Sequence, residues 1–416
     1  MGELRAAIAL LVMGLMLLCG GCAPQGGGAV LPKGIPVVRV RILQACSEAR
    51  IVATSPLWAK SQADLTPQPV SFPAAPGSIL KLVNGGWIAG GVPLGSGELT
   101  LTPGRAGTVS VEGRCCRGRY RLVPVGQGLF DVVNDVDVDS YLKGVLPVEL
   151  YSTWEEEAYK ALAIAGRTYA IFESKVTGVR RAYDLNSDER SQMYKGIASE
   201  TSKSIRAVEA TAGVVVAYGP PGQERIFRAY YSSCCGGKTQ SSHDAFGDDY
   251  LPPLGEFDRG ATCSISNKFN WGPVVISKAE LSKRFAAWAK RKSEQEGQPR
   301  PELRMQGVAR IEQAYVNKLG RPVLFYVTDN ANLRFMMRAE DVRLAIASEA
   351  NGGPTVYSGY FNTINEAERI RFIDGHGYGH GVGMCQWCAQ RQALLGWRHE
   401  DIVIANFPGT KLIRAY

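Results

Sequence analysis

Residues 132–138, Val-Val-Asn-Asp-Val-Asp-Val, are soon followed by Ala158, Leu162, Ala165, Tyr169 and Phe172. The first stretch alternates acid and valine, the period-two pattern of a half-buried strand. The second set recurs at helical intervals and marks one apolar face. Thr153 and Glu156 have capping-box spacing and predict the start of that helix. Glu156, Lys160, Ala163 and Arg167 fall on another face, which spacing alone reads as solvated. The small residues Ala163 and Gly166 beside its cations would still let something pack close.

Residues 35–130, before this junction, read as β-rich. Val37–Leu43 is a strand-like run with β-branched residues, and shorter runs follow at Ile79–Val83, Leu99–Leu101 and Thr108–Val111. Gly and Pro separate them, as in turns. Residues 119–138 continue the pattern. Beyond the junction a helix is expected at Ser202–Ala210, with strands at Gly213–Ala217 and Arg225–Tyr231. Residues 247–275 look loop-rich. Lys278–Lys292 reads as a basic helix, Ser293–Pro301 as an exposed linker, and Glu312–Val316 and Val323–Val327 as strands. Cys388–Leu395 reads as the last helix. Strands and helices mix without regular βαβ alternation, which favours an α+β fold.

The chain has 416 residues, 45% of them hydrophobic, enough for a sizeable core. The net charge of +8 suits acidic partners. No dense Lys/Arg block is interleaved with aromatics, so nucleic acid is not expected among them. The N-terminus has the layout of a secretory signal: Met1–Arg5 with one Arg, an apolar run Ala6–Leu18, then small residues to Cys22. That run is shorter than the ~20 residues a bilayer span needs. The segment Leu18-Cys19-Gly20-Gly21-Cys22 resembles a lipoprotein signal with Cys22 as the lipidated residue, although Cys19 stands where Leu is usual. The expected organisation is therefore a signal peptide at 1–22, a Gly/Pro-rich tether at 23–34, the β-rich part at 35–130 and a core at 131–416. Export to the cell envelope makes disulfides the default for the eight remaining cysteines.

Residues 374–383, Asp-Gly-His-Gly-Tyr-Gly-His-Gly-Val-Gly, place glycine at every second position. Such a backbone turns tightly and comes close to a ligand. It lacks the Lys-Ser/Thr ending of a phosphate loop. His376, His380, Cys385 and Cys388 are legitimate zinc ligand types, but H-x3-H-x4-C-x2-C is not a usual zinc spacing. A zinc or redox protein built on them is the weakest of three readings. The site is expected to hold no metal and no cofactor.

His380-Gly-Val-Gly-Met-Cys-Gln-Trp387 resembles the C-terminal signature of the stage II sporulation protein D / LytB family. Gly396, Ile402-Val403 and Phe407-Pro-Gly-Thr410 continue it. Upstream, Val138-Asp-Ser-Tyr-Leu-Lys-Gly-Val-Leu-Pro-Val-Glu149 is similar to that family's approach to its catalytic Glu. Lys160, Arg167–Ala170, Asp184-Leu185, Gln192-x-Tyr194-x-Gly196 and Tyr231–Thr239 match intervening motifs in order. The resemblance implies a peptidoglycan lytic transglycosylase in which Glu149 is the general acid/base and carries a raised pKa. It also implies that Lys160, Arg167, Gln192, Tyr194, His380 and Gln386 bind or orient the glycan strand. The alternative it carries is a non-catalytic wall-binding enhancer of a cell-wall amidase.

Some members hold zinc in the loop before Gln-x-Tyr. Here that loop, 186–191, has neither Cys nor His, so no zinc is expected there. Leu150-Tyr151 replaces the family's Met-Pro after the Glu, and Cys388 replaces a Gly, changes that would reshape the cleft. A disulfide from Cys385 or Cys388 to Cys234 or Cys235 is expected to tie the Gly-rich loop to the middle motif.

Overall fold

A computed structural model describes residues 34–416 apart from 64–65, 71–76, 105–107 and 177. The expected signal peptide, Cys22 and nearly all of the tether lie outside the described residues. Among the described residues no helix is long and apolar enough to cross a membrane.

The β-rich part builds two sheets. In the larger, the strands run in the order 185–186, 37–46, 129–137, 119–126, 99–103, 57–61, 68–70. In the smaller, the order is 114–115, 109–111, 48–53, 78–83, 86–89, 92–96. Val37–Cys46 lies antiparallel to Leu129–Asp137, with Val38 opposite Val136 and Val40 opposite Asn134. The reading of 132–138 as half-buried needs correction, because every residue from Phe130 to Val136 is buried. The acids survive burial because they are paired. Arg41 lies 3.3 Å from Asp131, and Arg121 Nε lies 2.9 Å from Asp135.

The strand passes directly into a helix, α1 (Val138–Glu149), that the sequence reading had not assigned. The Asp137 carboxylate accepts the Ser140 N–H at 2.8 Å and caps it. Val138, Tyr141, Leu142, Val145 and Leu146 are its buried face. Pro147 sits in its last turn, and Glu149 is its last residue. Next comes α2 (Glu156–Val176). Thr153 is exposed and does not cap it. The N–H of Glu155 instead reaches Gln390 Oε1 at 2.9 Å. α3 (Ser202–Ala210) follows, with Thr201 and Ser204 forming its capping box.

The second face of α2 is not solvated. Ala161 to Ala170 are all buried. A Cβ added to Gly166 would lie 3.0 Å from Gln192 Nε2 and 3.1 Å from Leu142. Arg167 has no exposed surface. It pairs with Asp139 at 2.8 Å and donates to the Val214 carbonyl at 3.0 Å and the Val208 carbonyl at 3.3 Å. The Tyr416 hydroxyl also donates to Asp139 at 2.9 Å, bringing the C-terminus to the start of α1.

One hydrophobic cluster runs from Val38 to Ala415 and includes both sheets and α1–α3. The β-rich part therefore shares its core with the helices. A second cluster spans Trp271 to Phe372. Short α4 (Ser242–Phe246) precedes it in the chain. The second cluster contains α5 (Lys278–Glu296), α6 (Ala339–Ala347) and two three-stranded sheets. α5 extends past Lys292 to Glu296, with Gly297 as its left-handed cap, and takes up part of the expected linker. Arg225–Tyr231 is not one strand. Arg225–Ile226 pairs with 217–218, whereas Tyr231–Ser232 pairs in parallel with Met384–Cys385. α7 (Gln386–Leu394) begins there, and a further helix, α8 (His399–Asn406), follows the one expected to be last.

Removing Arg167 strands Asp139, the Val208 and Val214 carbonyls and the Thr211 hydroxyl. Arg167→Leu is expected to lower unfolding stability by about 3–5 kcal/mol, read from urea midpoints. A variant with wild-type stability would show that the buried pair is not what holds α1 against α2.

Candidate active site

Three distant segments meet at Glu149. Its Oε1 accepts the Met193 N–H at 2.9 Å, and its Oε2 accepts Gln386 Nε2 at 3.3 Å. The Tyr231 hydroxyl completes the set. Behind them runs an ordered chain: Tyr141 OH donates to Gln192 Oε1, and Gln192 Nε2 donates to Tyr231 OH, each at 3.1 Å. Tyr141 and Gln192 are buried, so this scaffold is shielded from water.

Burial pushes the Glu149 carboxyl above its ordinary value, and it outweighs the hydrogen bonds from Met193, Gln386 and Tyr231 that favour the charged form. The group also stands at the negative end of α1, which disfavours a carboxylate further. The side chain is only part-buried, so the acid remains reachable.

Beside it lies an aromatic cluster. Trp154 and Trp387 pack edge-on at 4.8 Å between ring centres, and Tyr151 lies 5.5 Å and 5.8 Å from them. Trp154 is buried, while Tyr151 is 61% exposed, two residues past the acid. An exposed ring backed by two indoles is a rigid apolar face with a polar edge, suited to an amphipathic ligand such as a sugar.

The expected site residues divide. Gln386 touches Glu149, and Gln192 acts on it through Tyr231. His380 sits one step farther away. Its Nε2 meets the Tyr231 carbonyl at 2.8 Å, and its Nδ1 accepts the Val382 N–H at 3.1 Å. Burial pushes its pKa down to about 4, so the ring is neutral and braces the Gly-rich loop. Lys160, Arg167 and Tyr194 are engaged elsewhere. Lys160 pairs with Glu157 at 2.7 Å, and Glu157 also holds His399 at 2.7 Å. Arg167 lies inside the α1–α2 packing. Tyr194 is buried and donates to Asn134 at 3.1 Å. Sequence reasoning did not single out Tyr231, Trp154 or the Met193 N–H. Tyr231 and Trp387 lay within quoted motifs, but nothing in their spacing points at Glu149. A groove lined by Trp58, Lys60, Thr100, Arg119 and Arg121 contains no residue of this cluster.

Five cysteines, Cys234, Cys235, Cys263, Cys385 and Cys388, cluster with Trp387 and Phe269 packed against them. The sulfurs of Cys235, Cys263, Cys385 and Cys388 all lie within 4.8 Å of one another, and all four residues are buried. None of the four is in a disulfide. The expected contact between Cys385/Cys388 and the middle motif is present, but the expected disulfide is not, since Cys235 and Cys388 sulfurs are 3.9 Å apart. The two histidines of the H-x3-H-x4-C-x2-C run do not join Cys385 and Cys388: His376 meets Asn270 at 2.7 Å, and His380 meets the Tyr231 carbonyl.

Residues 127–218 match the family model described as Stage II sporulation protein. That stretch holds α1 to α3, Glu149 and Gln192, and ends before Tyr231 and Gln386. An uncharacterized protein of Brachyspira hyodysenteriae is 26% identical over 71% of this chain and 72% of its own length. Stage II sporulation protein D of Bacillus subtilis is 24% identical over 70% of this chain and 79% of its own length. The amidase enhancer of Bacillus subtilis is 24% identical over 65% of this chain, which spans only 40% of that protein.

Glu149 has a higher pKa folded than unfolded. Below the unfolded value both states are protonated and no penalty exists. As pH rises through the folded value, charging the desolvated acid costs stability. Glu149→Gln is therefore expected to melt higher than wild type at pH 8, with the gap closing toward about pH 4. A gap independent of pH in calorimetry would mean that the carboxyl is not desolvated. Gln386→Leu removes a donor to the charged form, so it is expected to melt below wild type at pH 8 and to approach it in acid.

Proposed function

From the premise that the chain belongs, through residues 127–218, to the stage II sporulation protein D family, we propose that it is a peptidoglycan lytic transglycosylase. The observation that carries this reading is the single carboxyl of Glu149, desolvated yet reachable, beside the exposed ring of Tyr151. The protonated acid donates to the glycosidic oxygen as the bond from the N-acetylmuramic acid anomeric carbon breaks. The sugar's own 6-hydroxyl oxygen then attacks that carbon, and its proton passes to the Glu149 carboxylate. The products are a free hydroxyl end and a 1,6-anhydro end, and the acid is regenerated. No water enters, so the second carboxylate of a hydrolase is not required.

Met193 N–H, Gln386 and Tyr231 fix the direction of the carboxyl and stabilise it in the moment it is charged. Gln192 and Tyr141 hold Tyr231, and His380 braces the loop behind it. Lys160 and Arg167 serve the glycan indirectly, by keeping α2 in place. Export, with a lipid on Cys22 as the membrane anchor, belongs to the same reading, because the substrate lies in the envelope.

The name of the amidase enhancer relative supports a second reading, in which the cleft binds wall for a partner amidase and cleaves nothing. Digestion of purified glycan strands, with and without stem peptides, separates the two. Wild type is expected to release anhydro-ended fragments seen by mass spectrometry, and Glu149→Gln to do so roughly 10²–10⁴-fold more slowly. Wall binding without cleavage of either strand type by wild type would transfer the case to the amidase-partner reading. Tyr151→Ala is expected to raise KM with kcat little changed.

A further inference from the structure

We propose that Cys235, Cys263, Cys385 and Cys388 form a structural zinc site that fixes the segment carrying Gln386 and Trp387. The quartet comes from three separate stretches: the Cys-Cys-Gly-Gly turn after Tyr231–Ser232, the loop at Cys263, and the start of α7. All four sulfurs are inside the protein and mutually within 4.8 Å, with Cys235 at 3.6 Å from Cys263 and 3.9 Å from Cys388. A tetrahedron of Zn–S bonds of ~2.3 Å has sulfur–sulfur edges of about 3.8 Å. A disulfide would need about 2.05 Å. The spacing therefore fits a shared ion.

The surroundings of Cys385 suit a thiolate. Cys385 Sγ accepts two backbone N–H groups at 3.3 Å, from Cys235 and from Cys388. Cys385 is also the N-cap of α7, where the helix dipole favours an anion. Cys385-x2-Cys388 is a spacing at which two sulfurs reach one ion. Four thiolates around Zn²⁺ carry two net negative charges, which a buried site must balance. Arg321 is 1% exposed and forms no ion pair among the described residues. It donates to the carbonyls of Cys235 at 3.1 Å, Lys238 at 2.6 Å and His380 at 3.1 Å. A buried guanidinium in no ion pair among the described residues, holding the turn that bears Cys235, supplies one of the two positive charges that such a balance calls for. Phe269 and Trp387 cover the cluster.

The consequence is positional. Gln386 follows one ligand and Trp387 precedes the other, and these side chains reach Glu149 and Tyr151. The metal assignment does not depend on the proposed cleavage chemistry, because metal content is read without substrate.

The test is elemental analysis of the full chain exported by its host and purified without chelator or reductant. A single zinc per chain is expected. Replacing it with Co²⁺ should give thiolate-to-cobalt charge-transfer bands and quench Trp387 fluorescence. Cys263→Ser should lose the metal. Cys46→Ser, in the first strand, and Cys234→Ser, beside the quartet, should keep it with the cobalt spectrum unchanged. Wild type free of metal, a mass deficit equal to two disulfides, or loss of zinc from Cys234→Ser would each overturn the assignment. If Cys263→Ser fails to fold, the cobalt spectrum of wild type and the two control variants still decide it.

Discussion

The position of Gln386 against Glu149 is the constraint on which the site depends. The donor and the acid are 237 residues apart, yet their side chains meet at 3.3 Å. Glu149 comes from the helix that continues the strand Leu129–Asp137 of the large sheet, and Gln386 from the first turn of α7. The second hydrophobic cluster, Trp271 to Phe372, is inserted between them in the chain. For the two to meet, the Gly-rich loop must return the chain from that cluster to the first one.

Glycine makes this return possible. A Cβ on Gly377 would lie 2.6 Å from the Cys234 carbonyl, and one on Gly383 would lie 2.2 Å from the Tyr230 carbonyl. Both residues have positive φ. The loop therefore lies flat against Tyr230–Gly236, with Tyr231–Ser232 pairing to Met384–Cys385. The alternating glycines, read from sequence as allowing close approach to a ligand, serve first to allow close approach of one backbone to another. Arg321 fastens the same place from the second cluster, so both hydrophobic units and the loop between them converge on the Cys-Cys-Gly-Gly turn.

In the β-rich part the strands at 37–46, 78–83, 99–103, 109–111 and 119–137 were legible because they are bounded by turns and rich in β-branched or alternating residues, whereas those at 48–53, 57–61, 68–70, 86–89 and 92–96 were not read. α3 and the strands at 310–316 and 322–328 were legible for similar reasons. α1 was not read, although its signal was present. Asp137 is a good cap, and Val138, Tyr141, Leu142, Val145 and Leu146 follow the helical period. Pro147 is compatible with it, because a proline in the last turn removes only one hydrogen bond of a helix already packed on its other turns. The face of α2 with Arg167 was misjudged for a different reason. Cations at helical spacing look solvated until a partner such as Asp139, 28 residues earlier, is brought against them. No local pattern contains that pairing. Glu149 and Gln386 were each legible from motif resemblance, whereas Tyr231 and the Met193 N–H became visible only with the packing.

The balance at Glu149 follows from the same geometry. Three donors would ordinarily hold a carboxyl below its usual range, but desolvation outweighs them here. In the proposed reaction the donors are not wasted, because they matter most when the acid has given up its proton and must wait, charged, for the next one. An acid with burial alone would protonate readily and then be unable to bear its charge. One with donors alone would seldom be protonated at neutral pH. α1 supplies the burial and the unfavourable dipole end, while the loop at 192–193 and the α7 turn supply the donors. Since the opposing influences come from segments far apart in sequence, the acid strength of Glu149 is a property of their assembly. Anything that loosens the α7 turn should change that strength before it changes the fold.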